Sequence, residues 1–425
     1  MRDDTPAGEP AEHEPRRLCI LGSTGSVGTQ TLDVVADLNR RAHEAGKPEP
    51  FQIVGLAAGS NADLLAEQAR RFKASAIAIR DPDSEMQTPP GVRAFRGEDA
   101  ATELIECAAS TDYAADLVVA AMVGAAGIRP TFAALSHGLD VALANKETLV
   151  AAGELALPLC AQSGAHLYPV DSEHAAIWQC LRSISAGHAA SPMPLPAPPY
   201  ASPPADVSRI VLTASGGPFR EASAAETYSA TAKDALRHPV WSMGAKNTID
   251  SASLVNKGLE LIETHWLFGV PHERIGVLVH PGSIVHSFVE FDDASIIAQL
   301  GDPDMRNPIQ HALTYPARPL GPARRLDLDA LTELRFEQPD HARFPALGLA
   351  RRTLDLGGTA GAVFNAANET AVASFLREQI PMGRIAELIE HALDELPART
   401  LTSLDDVFAA DEAARAITAK AIARS

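Results

Sequence analysis

This chain of 425 residues is short of positive charge: 36 Lys and Arg stand against 54 Asp and Glu, a formal net charge of −18. That balance excludes a broad electrostatic surface for nucleic acid or for acidic lipid, both of which need a cationic face. Any anionic substrate must then be held by a few locally placed cations. No run of about 18 apolar residues occurs, so no membrane span is expected. The four cysteines, Cys19, Cys107, Cys160 and Cys180, form no C-x-x-C pair and are expected to be reduced core thiols of a cytoplasmic protein. Residues 1–16 are polar and rich in Pro and acids. They lack the apolar centre of a signal peptide and are expected to form a disordered tail.

What the chain does have is apolar residues at 46%, enough for real cores in the two or three domains expected at this length. The most informative stretch is Arg17–Gly28, RLCILGSTGSVG. The apolar run Leu18–Leu21 predicts a buried strand, which breaks into Gly22, Gly25 and Gly28 before a helix starts near Val27. Glycine lets the backbone turn tightly against a pyrophosphate, and a helix N-terminus offers it unpaired N–H groups. The spacing G-x-x-G-x-x-G departs from the commoner G-x-G-x-x-G, but the strand–turn–helix context favours a nucleotide site over a plain turn. Further strands are expected at Gln52–Ala57, Ser75–Ile79, Asp116–Met122, Asp140–Leu143 and His166–Val170. Helices fall between them, including Ala62–Phe72 and Glu147–Leu157, the latter stopping at Pro158. Such alternation predicts a parallel sheet covered on both faces.

From Ile184 to Pro204 the chain is crowded with Pro, Ala and Ser, and no regular structure is assigned there. A strand at Arg209–Thr213 follows, and Ser283–Glu290 with Ser295–Leu300 flank Asp292-Asp293-Ala294 as an antiparallel hairpin of the kind that pairs across a dimer. Pro316–Pro345 reads as a linker, and the last ~80 residues are helical in period.

Two places carry chemistry. Asp171 and Glu173, in PVDSEH, stand at a strand end, the edge of a parallel sheet where ligands bind. A long helix predicted over Ile249–Phe268 sets Ser253, Asn256, Lys257 and Glu260 on one face. Such a stripe usually faces solvent, but its flanks here are apolar. Asp171, Glu173 and Glu260, with no Cys or His cluster, suit Mg²⁺ or Mn²⁺ rather than zinc. Asn256, Lys257 and nearby serines suit a phosphate. Spacing leaves a second reading open, in which Asp171 is an N-cap and Glu173 a first-turn acid of the next helix.

These segments, together with ANKE (144–147), SGGPFR (215–220), HPVWSMG (238–244), NKGLE (256–260), HPGSIVHS (280–287), LGDPDMR (300–306) and NAANE (365–369), occur in one order. In that order they closely resemble the 1-deoxy-D-xylulose 5-phosphate reductoisomerase family from about Arg17 to the C-terminus. The resemblance implies an enzyme of non-mevalonate isoprenoid biosynthesis that rearranges 1-deoxy-D-xylulose 5-phosphate and reduces the product with NADPH to 2-C-methyl-D-erythritol 4-phosphate. It implies metal ligation by Asp171, Glu173 and Glu260, and phosphate binding by Ser215, Ser251, Asn256 and Lys257. Lys146, Ser172 and His238 match other substrate contacts, and Trp241 covers the substrate from the 238–244 loop. Thr24, Gly25, Ser26, Val27, Gly59, Ser60, Asn61, Asn145, Glu147 and Gly244 match NADPH contacts. Lys146 and His238 join the three carboxylates as the expected catalytic set.

The implied organisation is a tail over 1–16, an NADPH-binding Rossmann-like domain over 17–171, and a central α/β catalytic and dimerisation domain over 172–315. A linker over 316–340 and a C-terminal helical domain over 341–425 follow, in a cytoplasmic homodimer acting on a sugar phosphate. Three positions depart from the family pattern. Ser60 stands where many members carry Lys or Arg, which removes a cation from the 2′-phosphate pocket. Gly282 replaces the usual Gln, and the segment from Ile184 to Pro204 is unusually rich in Pro. His280, His286 and His311 are given no catalytic role, although His286 matches a substrate-proximal position. A semialdehyde or acyl-phosphate dehydrogenase is the enzyme rival and needs a nucleophilic cysteine; Cys160 and Cys180 sit in apolar helical contexts without a base. An NADPH-binding sensor without catalysis is the other rival, and the retained carboxylates and Lys257 argue against it.

Overall fold

A computed structural model describes residues 14–110, 113–182, 197–204, 206–237, 240–241 and 243–424. His238 and most of the Pro-rich segment lie outside the described residues. Seven strands, β1 (Arg16–Leu21), β2 (Phe51–Ala58), β3 (Ala76–Ile79), β4 (Arg93–Arg96), β5 (Leu117–Ala120), β6 (Asp140–Leu143) and β7 (Leu167–Pro169), form one sheet. All its pairings are parallel, in the order β4-β3-β2-β1-β5-β6-β7. The chain order reverses at β1, where a ligand crevice opens beyond the strand ends.

Both faces of this sheet are covered, as its apolar runs require. Along β1, Leu18 and Ile20 join one core with Leu32, Val35, Leu65 and Leu313, while Cys19 and Leu21 join the other with Leu104, Leu135 and Leu149. This is the period-2 alternation of a strand buried on both sides. Each such aliphatic side chain contributes roughly 1.5–3 kcal/mol of burial.

A second sheet, β8 (Val207–Ala214), β9 (Ile275–Val279), β10 (Val285–Phe291) and β11 (Ile296–Leu300), has the order β11-β10-β8-β9. The β10–β11 hairpin is antiparallel, as its sequence predicts. Beyond Pro345 the chain is helical: Ala346–Leu356, Ala360–Leu376, Arg384–Glu395 and Leu404–Ile422.

Two helix expectations need correction. The helical stretch containing Glu147 runs from Lys146 to Ser163, kinked at Ala152 (φ −140°), and its second part passes through Pro158. A proline there loses one hydrogen bond, to Glu154, and the helix tolerates it because Ala156 and Cys160 are anchored in the core. The long helix at Ile249–Phe268 is two helices, Ala245–Ala252 and Val255–Phe268, broken at Leu254, whose φ is +57°. Ser253 therefore leaves the face of Asn256, Lys257 and Glu260, and its hydroxyl donates to the Ile249 and Asp250 carbonyls.

Candidate active site

The glycine turn forms one wall. Gly22 follows β1 at φ +83°, where a Cβ would meet the Ala121 carbonyl oxygen at 2.5 Å, so only glycine fits between the ends of β1 and β5. A Cβ on Gly28 would come within 2.2 Å of the Gly22 oxygen and 2.5 Å of Ser23 Cα, so glycine lets the first helical turn pack directly on the turn that precedes Thr24. Gly25 is the N-cap of the helix Ser26–Glu44, with no side-chain cap and no acid in the first turn. The leading N–H groups are thus suited to an anion. Gly59 and Ser60 follow β2 at the same edge and are exposed. Asn61 is committed to capping the helix Ala62–Phe72, accepting from the Leu64 N–H at 3.2 Å.

Ser26 and Val27 share a cleft of ≈ 1000 Å³ with the acidic residues predicted from the sequence. Asp171 sits at the N-cap position of the helix Ser172–Leu181, yet its side chain makes no capping hydrogen bond. Its carboxylate lies 2.6 Å from Lys146 Nζ instead. Asp171 therefore does not cap that helix, while Glu173 does stand in its first turn, as the second reading of the spacing had it. Lys146 Nζ also donates to Asn256 Oδ1 at 2.8 Å and lies 3.3 Å from Glu260 Oε1. Lys257 Nζ bridges Glu173 at 2.6 Å and Glu260 at 2.5 Å, and Ser172 Oγ donates to Glu173 Oε2 at 2.6 Å.

Three carboxylates therefore face two ammoniums in a buried knot, and their protonation follows from it. Burial favours a neutral Glu173, but the Lys257 ammonium overcomes it and holds that carboxyl well below the usual range. Burial, with the charge of Glu173 next, pushes Glu260 up to about 7. Burial would lower both lysines; Asp171 and Glu260 hold Lys146 up, and Glu173 and Glu260 do so for Lys257.

This all-oxygen anionic donor set fits a hard divalent cation. Among the described residues, however, ligand atoms lying within 4.8 Å of one another occur at Asp171, His174 and Glu263 and at His272, Glu273 and Asp355. The trio Asp171, Glu173 and Glu260 is spread around Lys146 and Lys257, which supply the neutralising charge. Lys257, expected at a phosphate, is committed here to carboxylates.

The remaining expected residues are distributed around the same cleft. Ser215, Ser251, Trp241 and Gly244 line it. A Cβ on Gly217, at φ +65°, would lie 3.1 Å from the Ser251 carbonyl oxygen, so glycine is what lets the Ser215 turn abut Ser251. Asn145 and Glu147 are interior: the Asn145 amide donates to Met122, Gly124 and Glu147, and Glu147 accepts from Lys246. His280 is structural, with Nδ1 2.8 Å from the Arg335 carbonyl oxygen and its ring stacked on Phe336. His286 lines the cleft, 6.3 Å from the Trp241 ring.

Sequence reasoning missed His174 and Glu263. His174 Nε2 lies 3.0 Å from the Glu260 carbonyl oxygen, an acceptor, so the proton sits on Nε2 and Nδ1 faces Glu263 Oε2 at 3.6 Å. Burial pulls His174 down to about 4, and burial followed by the Asp171 charge pushes Glu263 well above the usual carboxyl range. The available signal was the placement of Glu263 three residues after Glu260 on one helix.

A parallel sheet whose glycine turn opens, at the topological switch, onto a buried carboxylate–lysine cleft defines a dinucleotide-dependent enzyme of the Rossmann-like class. Family models place it more closely: "1-deoxy-D-xylulose 5-phosphate reductoisomerase" matches residues 18–153, its C-terminal domain matches 167–268, and the DXP reductoisomerase C-terminal domain matches 300–417. The chain belongs to the 1-deoxy-D-xylulose 5-phosphate reductoisomerase family. It is 49% identical over 413 residues to the reductoisomerase of Pelodictyon phaeoclathratiforme, covering 96% of this chain and 100% of that protein. It is 50% identical over 405 residues to that of Chlorobium chlorochromatii, covering 94% and 98%. Among solved structures, the Zymomonas mobilis reductoisomerase in complex with NADPH superposes with a TM-score of 0.81 at 42% identity, covering 96% of this chain and 99% of that one. A DOX-P reductoisomerase with NADPH, fosmidomycin and magnesium superposes at 0.82 and 37% identity, covering 96% and 98%.

Proposed function

We propose that this protein converts 1-deoxy-D-xylulose 5-phosphate and NADPH into 2-C-methyl-D-erythritol 4-phosphate with the help of Mg²⁺ or Mn²⁺, in isoprenoid precursor synthesis. The observation that carries this reading is the shared cleft: the uncapped helix N-terminus at Ser26 and Val27 opens on the space that holds Asp171, Glu173 and Glu260. Relatives solved with NADPH and with magnesium support it.

NADPH supplies the hydride, and a divalent cation supplies Lewis-acid polarisation of the substrate oxygens. Asp171, Glu173 and Glu260 are the residues to hold that cation. Ser215 and Ser251, abutted at Gly217, take the phosphate with Asn256 and Lys257. Ser172 and His238 take the remaining substrate oxygens. Lys146, charged and directed at Asp171 and Glu260, keeps a fixed positive group where negative charge develops. Trp241 excludes water from that space. Thr24 to Val27 carry the pyrophosphate, and the absence of an acid at Gly59-Ser60-Asn61 leaves room for a 2′-phosphate.

A homodimer belongs to the same reading, since β11 is an edge strand with Ile296 60% and Leu300 38% exposed. So does a cytoplasmic location: the four cysteines are free and buried, and among the described residues no helix is long and apolar enough to cross a membrane. The test is to mix the protein with 1-deoxy-D-xylulose 5-phosphate, NADPH and Mn²⁺ and follow nicotinamide absorbance together with product identity. One NADPH should be oxidised per 2-C-methyl-D-erythritol 4-phosphate formed, and chelation should stop both. Absence of oxidation, or oxidation without that product, would overturn the assignment.

A further inference from the structure

Lys146 enters the cleft from the first turn of its helix, while the residues on either side of it are anchored away from the cleft. Asn145, fully buried, donates to the Met122 and Gly124 carbonyls at 2.8 and 3.1 Å and to Glu147 Oε2 at 2.8 Å. Glu147 Oε1 accepts from Lys246 Nζ at 2.8 Å. Lys246, in the helix Ala245–Ala252, lies 2.9 Å from Asp250 Oδ2. Asp250 in turn accepts from Asn368 Nδ2 at 2.9 Å, on the helix Ala360–Leu376. One ammonium thus ties the nucleotide-side sheet to the central helices and, through Asp250, to the C-terminal helices. Glu147, Lys246 and Asp250 are not among the described residues that line the cleft.

We propose that Lys246 is a positioning residue for the reaction: by fixing Glu147 it sets the first turn of the helix Lys146–Ser163, and hence where the Lys146 ammonium stands among Asp171, Asn256 and Glu260. A buried ion pair of this kind adds little net stability but fixes one geometry, because each alternative leaves a carboxylate unpaired. Burial would neutralise Lys246, and Asp250 and Glu147 reverse that, holding it above its ordinary range. The brace therefore stays charged at working pH. Methionine at 246 would fill the space but leave Glu147 without the ammonium that ties it to the helix Ala245–Ala252, free to turn and to carry Lys146 with it.

The inference rests on the reading of Lys146 as a site residue, and the experiment keeps the two apart. Lys246→Met should lower kcat about 10–100-fold, the usual cost of losing a group that orients a site, with little change in KM for NADPH. In a Lys146→Arg background, where the ammonium is already displaced, the same substitution should lower kcat by less than about threefold more, because residues acting through one group are not additive. Should Lys246→Met fail to fold, Glu147→Gln keeps the shape, weakens the ion pair and takes its place in the same cycle. A parent enzyme without turnover would overturn the assigned reaction. An active parent whose variant keeps kcat within about threefold, or whose two losses simply multiply, would overturn the brace.

Discussion

Glu260→Gln separates the two ways in which the carboxylate knot can be neutralised. Glu260 is 2% exposed and accepts from Asn256 and Lys257, each at 2.5 Å, with Lys146 3.3 Å away. Burial and the charge of Glu173 already push its pKa up to about 7, so ionising it at neutral pH gains little. Glutamine keeps the shape, and both lysines keep a carboxylate of their own: Lys146 has Asp171 and Lys257 has Glu173, each at 2.6 Å. Metal-free stability should therefore change by less than about 1 kcal/mol in either direction. With a divalent cation the balance reverses. A unit charge pair at about 4 Å contributes about 4 kcal/mol at an effective dielectric of about 20, so a dication doubles it to about 8 kcal/mol. The amide oxygen of Gln retains about half of that, and a net loss of about 4 kcal/mol makes Mn²⁺ binding roughly a thousandfold weaker. Titration calorimetry with Mn²⁺ and urea unfolding without it read the two halves. Mn²⁺ affinity within about tenfold of the parent, or a metal-free loss above about 3 kcal/mol, would show that Glu260 is structural and not a ligand.

Lys257→Met leaves Glu173 and Glu260 facing each other without their shared cation, so Mn²⁺ affinity should hold or rise while KM for the phosphorylated substrate rises about tenfold or more; a fall in Mn²⁺ affinity contradicts this. Ser60 brings a hydroxyl and no carboxylate to the end of β2, so kcat/KM should favour NADPH over NADH, and equality or reversal in steady-state assays would refute the assignment of that edge. Trp241 is half-buried at the cleft, and Trp241→Ala should lower turnover with nearly unchanged melting temperature; a large loss of stability would make it a core residue. His311 is pulled down to about 3 by burial, then by Arg318 and Arg182. Its neutral form is favoured in the fold, so the stability it contributes is present above about pH 6.5 and is lost as pH falls towards 3, by up to about 1.4 kcal/mol per unit. His311→Gln should flatten that acid limb in urea unfolding, and an unchanged slope would refute the assignment.

The nucleotide-side sheet was legible because strands buried on both faces appear as short apolar runs; Asp140–Leu143 coincides with β6. β4, Arg93–Arg96, was not, because an edge strand with three exposed residues of its four carries no such signal. Periodicity joined Ile249–Phe268 into one helix because Leu254 is apolar and nothing in its side chain announces a positive φ. Residue types and spacing were enough to nominate Asp171, Glu173, Glu260, Asn256 and Lys257 as neighbours. They could not show that Asp171 declines its capping role, or that Lys257 lies between two carboxylates, since both depend on contacts between separate segments, Asp171 with Lys146 and Glu173 with Lys257. The same holds for Lys246, which looks like an ordinary surface lysine until Glu147 is folded against it.

The most direct test of the shared-cation account is anomalous diffraction from crystals of the protein grown with Mn²⁺ and NADPH. The account predicts one strong manganese peak bounded by carboxylate oxygens of Asp171, Glu173 and Glu260. A peak between Asp171, His174 and Glu263, whose ligand atoms already lie within 4.8 Å of one another, would contradict it, as would no peak anywhere in the cleft.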